Sequence, residues 1–344
     1  MKRTFCTLLV VLFASTAFGF GQKYGSHQSG KNTVEDQMPA GYNKTARINV
    51  EGDWDFFLTG SFILWRASED GCEVAYKGNT YPAEGKLINM DFDFKPGFKV
   101  GLGMHFNYDN WNLYAEYTRL NMTDKRSVSQ FAGTALTSPW IKDTLLGSCA
   151  AASAKWKLDY NMFHLELGRP YYVGCELSFK PHIGFISGWI DQRYDVDYTA
   201  SYSPHSDNSN NAWLLGMRAG VYTNWELGCG VRMFGNLASA LFYEHFNTST
   251  HQNSTIEAVT NKRHVTSKVG HTAPSLEMGI GFGWGTYFAQ NKWHFDVTGG
   301  WDYLIFWNQN YMRPLIHTVS DAQGEGSAGD LAMQGLTLTF RFDF

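Results

Sequence analysis

The stretch FKVGLGMHFNYDNWNLYAEYT, residues 98–118, decides the fold of this chain. Apolar residues alternate there with glycine, polar or charged residues on both sides of the pair Asp109 and Asn110. Alternation with a period of two predicts a β-strand with one apolar face, and a short Asp-Asn connection between two such runs predicts a β-hairpin. These residues therefore predict two antiparallel strands joined by a tight turn.

The same unit recurs along the chain. The alternating segments are residues 54–64, 98–106 with 111–120, 155–168 with 175–190, 211–223 with 229–244, 274–288 with 293–307, and 336–344. Such lengths suit a tilted strand that crosses a bilayer in about 9–11 residues. We expect an all-β chain, a transmembrane antiparallel up-and-down β-barrel of about ten strands, with about 8–14 possible.

Composition indicates which face of the strands meets lipid. One face is almost purely apolar or aromatic, whereas the other carries charge, threonine and glycine, as at Gly279, Gly281 and Gly283. A row of glycines cannot fill a core but suits the wall of a lumen, so the apolar face should point to lipid. Charged residues make up only 17 % of the chain, against roughly 25 % in soluble domains. We expect tryptophans in girdles at the membrane interfaces, namely Trp54, Trp65, Trp111, Trp189, Trp225, Trp293 and Trp307.

Short connections alternate with long polar ones. This asymmetry is typical of outer-membrane barrels, which have short periplasmic turns and long outer loops. The ranges interpreted as outer loops are 67–91, 121–155, 191–211, 245–270 and 308–330, of which the first and the last could hold further strand. An adhesin or structural surface protein is an alternative function, because polar loops such as SYSPHSDNSNN, residues 201–211, could meet a host surface.

The N-terminus predicts export. Lys2 and Arg3 precede an apolar run that ends near Phe18, and small residues stand at Ala17 and Gly19. This pattern predicts a secretory signal peptide over residues 1–19, cut after Gly19. We expect residues 20–52 to be a polar periplasmic segment and residues 53–344 to form the barrel. The predicted location is the bacterial outer membrane.

The C-terminus predicts the closing strand. It should pair with the strand that begins near Trp54, which would leave the barrel without an edge. Phe340, Phe342 and Phe344 would face lipid, and a terminal phenylalanine on such a strand resembles the signal read by barrel-assembly machinery. Outer-membrane lipid and that machinery are therefore expected partners.

Inward-facing charges predict a pore lining of both signs. The candidate pore-lining residues are Lys99, Glu116, Lys180, Arg218, Arg232, Glu277, Asp296 and Arg341. Facing charges of opposite sign create a transverse field that favours ions and small polar solutes. Alternatively, these charges neutralise one another and plug a narrow barrel. The segment 155–168 does not keep one parity, because Lys157 and Asp159 alternate against His164 and Glu166, so a bulge could switch its faces.

Other chemistry has weaker support in the sequence. His294 and Asp296 share a strand face and Glu277 lies on the preceding strand, so a barrel hydrolase is a lesser alternative. We expect no enzyme, no catalytic residue, no cofactor and no metal site. The histidines of the connections show no ligand spacing; they are His205, His251, His264, His271 and His317. The net charge of −4 without a basic block argues against nucleic acid as a partner.

Four cysteines remain after the predicted cleavage. Cys72 and Cys149 fall in outer connections, and Cys175 and Cys229 lie just after short turns. Each pair on the same side could form a disulfide or link neighbouring molecules into a homo-oligomer, and free thiols are equally compatible with the sequence.

Two stretches resemble a known family. DWDFFLTGSFILWRASEDGCEVAY, residues 53–76, and KPGFKVGLGMHFNYDNWNLYAEYTRL, residues 95–120, resemble the Legionella-type pore-forming major outer membrane proteins, which have relatives in chlamydia-related bacteria. The resemblance extends over most of the chain after residue 52. It implies an abundant porin-like pore for passive diffusion of ions and small polar solutes, and it implies no catalytic residue.

Overall fold

The computed structural model describes most of the chain after residue 42. The described residues are 43–51, 55–78, 85–106, 109–130, 135–141, 149–200, 203–256, 259–313, 315 and 328–344. They belong to one compact unit, Asn43–Phe344. The predicted signal peptide and residues 20–42 lie outside the described residues. Within the described ranges, no helix is both long and apolar enough to cross a membrane.

The described residues form fourteen strands. They are β1 (Phe56–Glu69), β2 (Glu73–Gly78), β3 (Gly85–Asn89), β4 (Lys95–His105), β5 (Asn112–Ser129), β6 (Ala135–Thr137), β7 (Ala151–Gly168), β8 (Tyr171–Tyr172), β9 (Leu177–Thr199), β10 (His205–Gly228), β11 (Val231–Ile256), β12 (Val259–Phe288), β13 (Trp293–Asn310) and β14 (Gly329–Asp343). The short strands β2, β3 and β6 form a small sheet of their own.

The remaining strands close into a barrel. The large sheet has eleven strands, of which β8 is a two-residue piece beside β9, so ten strands form the ring. β14 pairs antiparallel with β1 from Phe57 opposite Asp343 to Glu69 opposite Leu331. Every neighbouring pair in the ring is antiparallel. The predicted closed barrel of about ten strands is therefore confirmed.

The connections define two ends of the barrel. At the end called here the turn end, Asp109 and Asn110 both have positive φ, at 54° and 57°. Two successive positive φ values are those of the tight turn that best matches strand twist, so the predicted hairpin is confirmed. The opposite end, called the loop end, carries the small β2–β3–β6 sheet.

The outward face changes character between the two halves of the barrel. In β9, Phe185 is 55 % exposed and Trp189 is 58 % exposed, as expected where the strand meets lipid. Beyond Trp189 towards the loop end, the same face carries Arg193, while Tyr194 on the inner face is completely buried. The turn half therefore has an apolar exterior, and the loop half has a polar exterior around an apolar core.

This change of polarity corrects two expectations. The described parts of the polar ranges 191–211 and 245–270 are mostly paired strand rather than long loop, because β9 continues to Thr199, β10 begins at His205, β11 continues to Ile256 and β12 begins at Val259. The segment 155–168 has no bulge; its pairing with β5 and β9 is continuous, and His164 and Glu166 face inward throughout. Even-numbered residues face inward along the whole strand, and the residues on the outer face become polar where the medium outside changes from lipid to water.

The interior of the loop half is a packed core. Its largest fully buried side chains are Ile63, Trp65, Leu120, Trp140, Trp156, Tyr160, Tyr194, Tyr198, Phe242, Phe246 and Phe306. Hydrogen bonds hold the small sheet in place. From the wall, the Tyr198 hydroxyl donates to the Val74 carbonyl at 2.8 Å, and from the connection after β6, the Trp140 indole donates to the Glu73 carbonyl at 2.6 Å. Trp65 is thus a core residue rather than part of an interface girdle, because odd-numbered residues of β1 face inward.

Candidate functional site

The turn half of the barrel encloses a polar chamber of about 270 Å³. All eight residues predicted to line a pore are in its wall, namely Lys99, Glu116, Lys180, Arg218, Arg232, Glu277, Asp296 and Arg341. They come from eight strands, one residue from each, whose inward parity follows from the period of two. That they line a conducting path stays a prediction.

Arg218 is the centre of the charged wall. Its side chain is 3 % exposed and pairs with Glu166 through Nη1, while Nη2 lies 2.7 Å from Glu277 Oε2. Nη1 also lies 3.0 Å from His182 Nε2. Two carboxylates share one guanidinium, which suits the five-donor fork of arginine. Sequence reasoning placed Glu166 on an uncertain face, and only the continuous register of β7 brings it to Arg218.

Two further ion pairs cross between strands. Arg232 Nη2 on β11 lies 2.7 Å from Asp296 Oδ1 on β13, across the intervening β12. Gly283 of β12 makes this possible, because a Cβ there would lie 3.0 Å from the Arg232 guanidinium carbon. Lys99 Nζ lies 3.5 Å from Asp302 Oδ2. The glycine face of β12 is therefore covered by the side chains of its neighbours.

Lys180 differs from the other cations of the wall. Its ammonium lies 5.4 Å from the centre of the Tyr222 ring and 5.9 Å from that of Tyr114. No ion pair within 4.0 Å joins it to a carboxylate of the described residues. Aromatic faces attract a cation weakly without neutralising it, so Lys180 differs from the cations that are paired with a carboxylate.

The hydrolase cluster considered from sequence is not assembled. His294 Nδ1 lies 3.0 Å from Asp343 Oδ2 rather than pairing with Asp296. Asp296 is held by Arg232, and Glu277 is held by Arg218. Among the residues that the structure describes, no group of three or more histidine, cysteine or acidic side chains is arranged to hold a metal ion.

A comparison with protein families identifies the barrel. The model described as Legionella pneumophila major outer membrane protein precursor matches residues 49–344. The chain belongs to this family. It is therefore an outer-membrane β-barrel protein, and the resemblance found in the sequence is confirmed.

Comparisons with individual curated proteins and solved structures give either no match or a match of low identity and low TM-score. No curated protein matches the chain. Among solved structures, Ail, the attachment invasion locus protein of Yersinia pestis, is 10 % identical with a TM-score of 0.23, over 84 % of this chain and 99 % of its own. The Pseudomonas putida toluene transporter TodX is 7 % identical with a TM-score of 0.32, over 85 % and 91 %. A Pseudomonas aeruginosa FadL homologue is 7 % identical with a TM-score of 0.28, over 85 % and 90 %. At these scores the likenesses carry no argument, and the closed ring rests on the strand pairing of this chain.

The turn end of the chamber is crossed by residues 43–51, called here the N-terminal strap. The Tyr172 amide donates to the Lys44 carbonyl at 2.8 Å, and the Glu51 amide donates to the Asn291 carbonyl at 2.8 Å. These contacts tie the strap to the β8 region and to the β12–β13 turn. The Arg47 side chain is 7 % exposed and pairs with Asp55 just before β1. The strap is the described part of the polar N-terminal segment expected over residues 20–52.

The loop end of the chamber is closed by the apolar core. Trp65 marks the boundary, since its ring lies 4.8 Å from Lys99 Nζ on the chamber side while its indole donates to Thr337 Oγ1 at 3.1 Å. Next along the inner face of β1, Ala67 is 1 % exposed within the core. The chamber therefore has a charged wall and an apolar roof.

The last residue completes the barrel seam. The Phe344 amide donates to the Phe56 carbonyl at 3.0 Å, and the Phe56 amide donates to the Phe344 carbonyl at 3.2 Å. On the outer face, Phe342 lies 5.2 Å from the Trp293 ring and Phe344 lies 6.2 Å from it. Phe340 is 45 % exposed. Recognition of these residues by assembly machinery stays a prediction.

The four cysteines are free thiols in the structure. Cys72 and Cys149 are buried in the core of the loop half, and Cys175 and Cys229 are exposed at the turn end. The intramolecular disulfides considered from the sequence are therefore absent here. Linkage between neighbouring molecules stays a prediction.

Proposed function

We propose that this protein is a channel of the outer membrane that passes ions and small polar solutes by passive diffusion. The charged chamber in the lipid-facing half of the barrel carries this proposal. Charged side chains at membrane depth are costly, and they are retained where they line a water-filled path. Lys99 and Arg218 face Glu116 and Glu277 around one cavity, so the wall creates the transverse field that orients polar solutes.

The apolar roof makes the structure a closed state of this channel. Trp65, Trp156 and Phe306 are completely buried where a continuous path would have to run. The small sheet β2–β3–β6 fills the barrel above them and is fixed by Tyr198 and Trp140. Conduction therefore requires this sheet and the roof to move together, in the manner of a hydrophobic gate.

Planar-bilayer recording with Lys180→Glu tests the channel. The purified protein should give discrete conductance steps, and the variant should shift the reversal potential in a salt gradient towards cations, because a free positive charge becomes negative. Lys157→Glu is the matched control, since Lys157 lies on the outer face of β7 and should leave the reversal potential unchanged. Silence of the purified wild-type protein, or equal shifts from both variants, contradicts the proposal.

A structural or adhesive surface role is the second candidate. The specific observation in its favour is that β10 and β11 continue past the lipid-facing belt and present polar residues such as Asp207 and Asn247 on the outer face. Binding of purified protein to host cells, with no conductance in bilayers, would favour this role over the channel.

The exported form follows from the same proposal. We infer that residues 1–19 are removed before insertion, since the run from Lys2 to Gly19 has the three regions of a signal peptide. N-terminal sequencing of protein from outer membranes should begin at Phe20, and a sequence that begins at Met1 would contradict this inference.

A further inference from the structure

Two histidines meet at the loop end of the barrel. His251 of β11 and His264 of β12 are directly opposite one another in the antiparallel ladder. Their ring centres are 3.9 Å apart, and the ring planes are inclined by 20°. Both side chains are exposed on the outer face of the barrel. The spacing of the two histidines along the chain matches no metal-binding motif, so only the strand register brings them together.

The pair lies beyond the lipid-facing part of the wall. β12 pairs with β13 only from Ser275 to Phe288, so His264 belongs to the part of the β11–β12 hairpin that projects past β13. On the other side, His251 is directly opposite Asp207 of β10. The Asp207 carboxylate accepts a hydrogen bond from Arg193. A ligand can thus approach the two imidazoles from the water outside the cell.

We propose that His251 and His264 bind one divalent transition-metal ion, of the class Zn²⁺, Cu²⁺ or Ni²⁺. Imidazole nitrogens suit these three ions. Two adjacent strands hold the two Cα atoms opposite one another, so the backbone is already in place before the ion arrives. The stacked rings rotate about their side-chain bonds to point one nitrogen each at the ion. No third ligand of the described residues completes the site, and water fills the other positions.

The charged side chains nearest the pair are either engaged or exposed to water. The Asp207 carboxylate opposite His251 is paired with Arg193, and Lys262, on the same face as His264, is exposed. Another histidine of this end, the half-buried His205, is already engaged, because His205 Nδ1 lies 2.7 Å from Asp197 Oδ1. The site is therefore specific to the stacked pair, and His205 offers a matched control.

A bound ion would cross-link the two strands near the tip of the β11–β12 hairpin. The two ligands belong to the two strands, so coordination adds a link to the ladder near its end, where strands open most easily. This consequence does not rest on the channel proposal, because neither histidine touches the chamber.

Cu²⁺ binding to the untagged, chelator-treated full chain in detergent tests the site. Electron paramagnetic resonance of the wild-type protein should show one Cu²⁺ with two nitrogen ligands. His251→Asn and His264→Asn should each weaken binding by at least about tenfold, as expected when a chelate loses one arm. His205→Asn should bind as the wild type does. Equal binding by the wild type and the double variant, or an equal loss in His205→Asn, overturns the proposal.

Limited trypsin digestion gives a second readout. Lys262 and Arg263 are exposed cleavage sites next to His264. Zn²⁺ should slow cleavage there several-fold in the wild type, but not in His264→Asn, while cleavage at other sites keeps its rate in both. Equal protection of both proteins by Zn²⁺ contradicts a metal cross-link formed by this pair. Circular dichroism verifies that each variant is folded.

Discussion

In the turn half of β9, Phe185 faces lipid and Lys180 faces the chamber, whereas in the loop half Arg193 faces water and Tyr194 lies in the core. One uninterrupted ladder thus carries two opposite patterns of polarity. A period of two therefore separates the inner and outer faces of a strand, whereas the medium on each side determines which of these faces is apolar. A wet chamber and a dry core can therefore follow one another inside the same barrel.

The largest expected effect comes from opening a cavity in the loop half. Trp156→Ala should lower the free energy of unfolding by about 3–5 kcal/mol, because a fully buried indole is lost. Its ring also packs edge-on against Phe92, with ring centres 4.9 Å apart. Denaturant unfolding followed by fluorescence measures the change. The neighbour Lys157 points outward on the same strand, and Lys157→Ala should change the free energy of unfolding by no more than about 0.5 kcal/mol. Similar losses of stability in the two variants would contradict an apolar core inside a polar exterior.

The next effect concerns the seam in the turn half. Deletion of Phe344 should reduce the fraction of chains that assemble into the membrane several-fold, since it removes both hydrogen bonds to Phe56 and the terminal aromatic. Barrels that do assemble should conduct as the wild type does. Heat-modified mobility of the outer-membrane fraction measures assembly. Replacement by tyrosine keeps the aromatic end and should restore assembly, and normal assembly of the deletion would remove the terminal residue from this role.

The smallest effect comes from one buried carboxyl above the lipid-facing belt. Burial raises the pKa of Glu69 well above its usual range, and the nearby Asp70 and Asp330 raise it further, although a hydrogen bond from Gln192 opposes them. The folded state therefore keeps a proton that the unfolded chain loses near pH 4.3, so the wild type should lose stability as pH rises above about 4.3.

Glu69→Gln removes this cost. At pH 8 the variant should be more stable than the wild type by about 1 kcal/mol, because a neutral amide replaces a carboxyl that is expensive to ionise when buried. Below pH 4 the two proteins should converge. Glu176→Gln changes an exposed carboxyl at the turn end and should alter stability little. A variant that is less stable than the wild type at every pH would contradict the dry core of the loop half.

Much of the turn half could be predicted from the residues themselves. The alternation around Phe98 gave the strand faces, and inward parity placed all eight charged candidates in one chamber. The loop half could not be predicted in the same way. Ranges 191–211 and 245–270 resemble loops in the sequence because the outer face of the strands meets water there and carries polar residues. The inner face packs against core residues that are far apart in the chain, so the sequence does not reveal this contact. Trp65 shows the same limit, since its hydrogen-bond partner Thr337 on β14 reaches it only through ring closure.

The pattern of residues specifies the class of structure. A period of two with one apolar face, short turns at one end and an aromatic last strand are the features of an outer-membrane barrel. Such a barrel must close because lipid requires every backbone group to be paired within the strands. The contents of the barrel interior, by contrast, depend on the tertiary structure. The pairing of Arg218 with Glu166 and Glu277, the apolar roof over the chamber and the meeting of His251 with His264 all depend on strand register. Register is a property of the whole ring, and no local pattern in the chain encodes it.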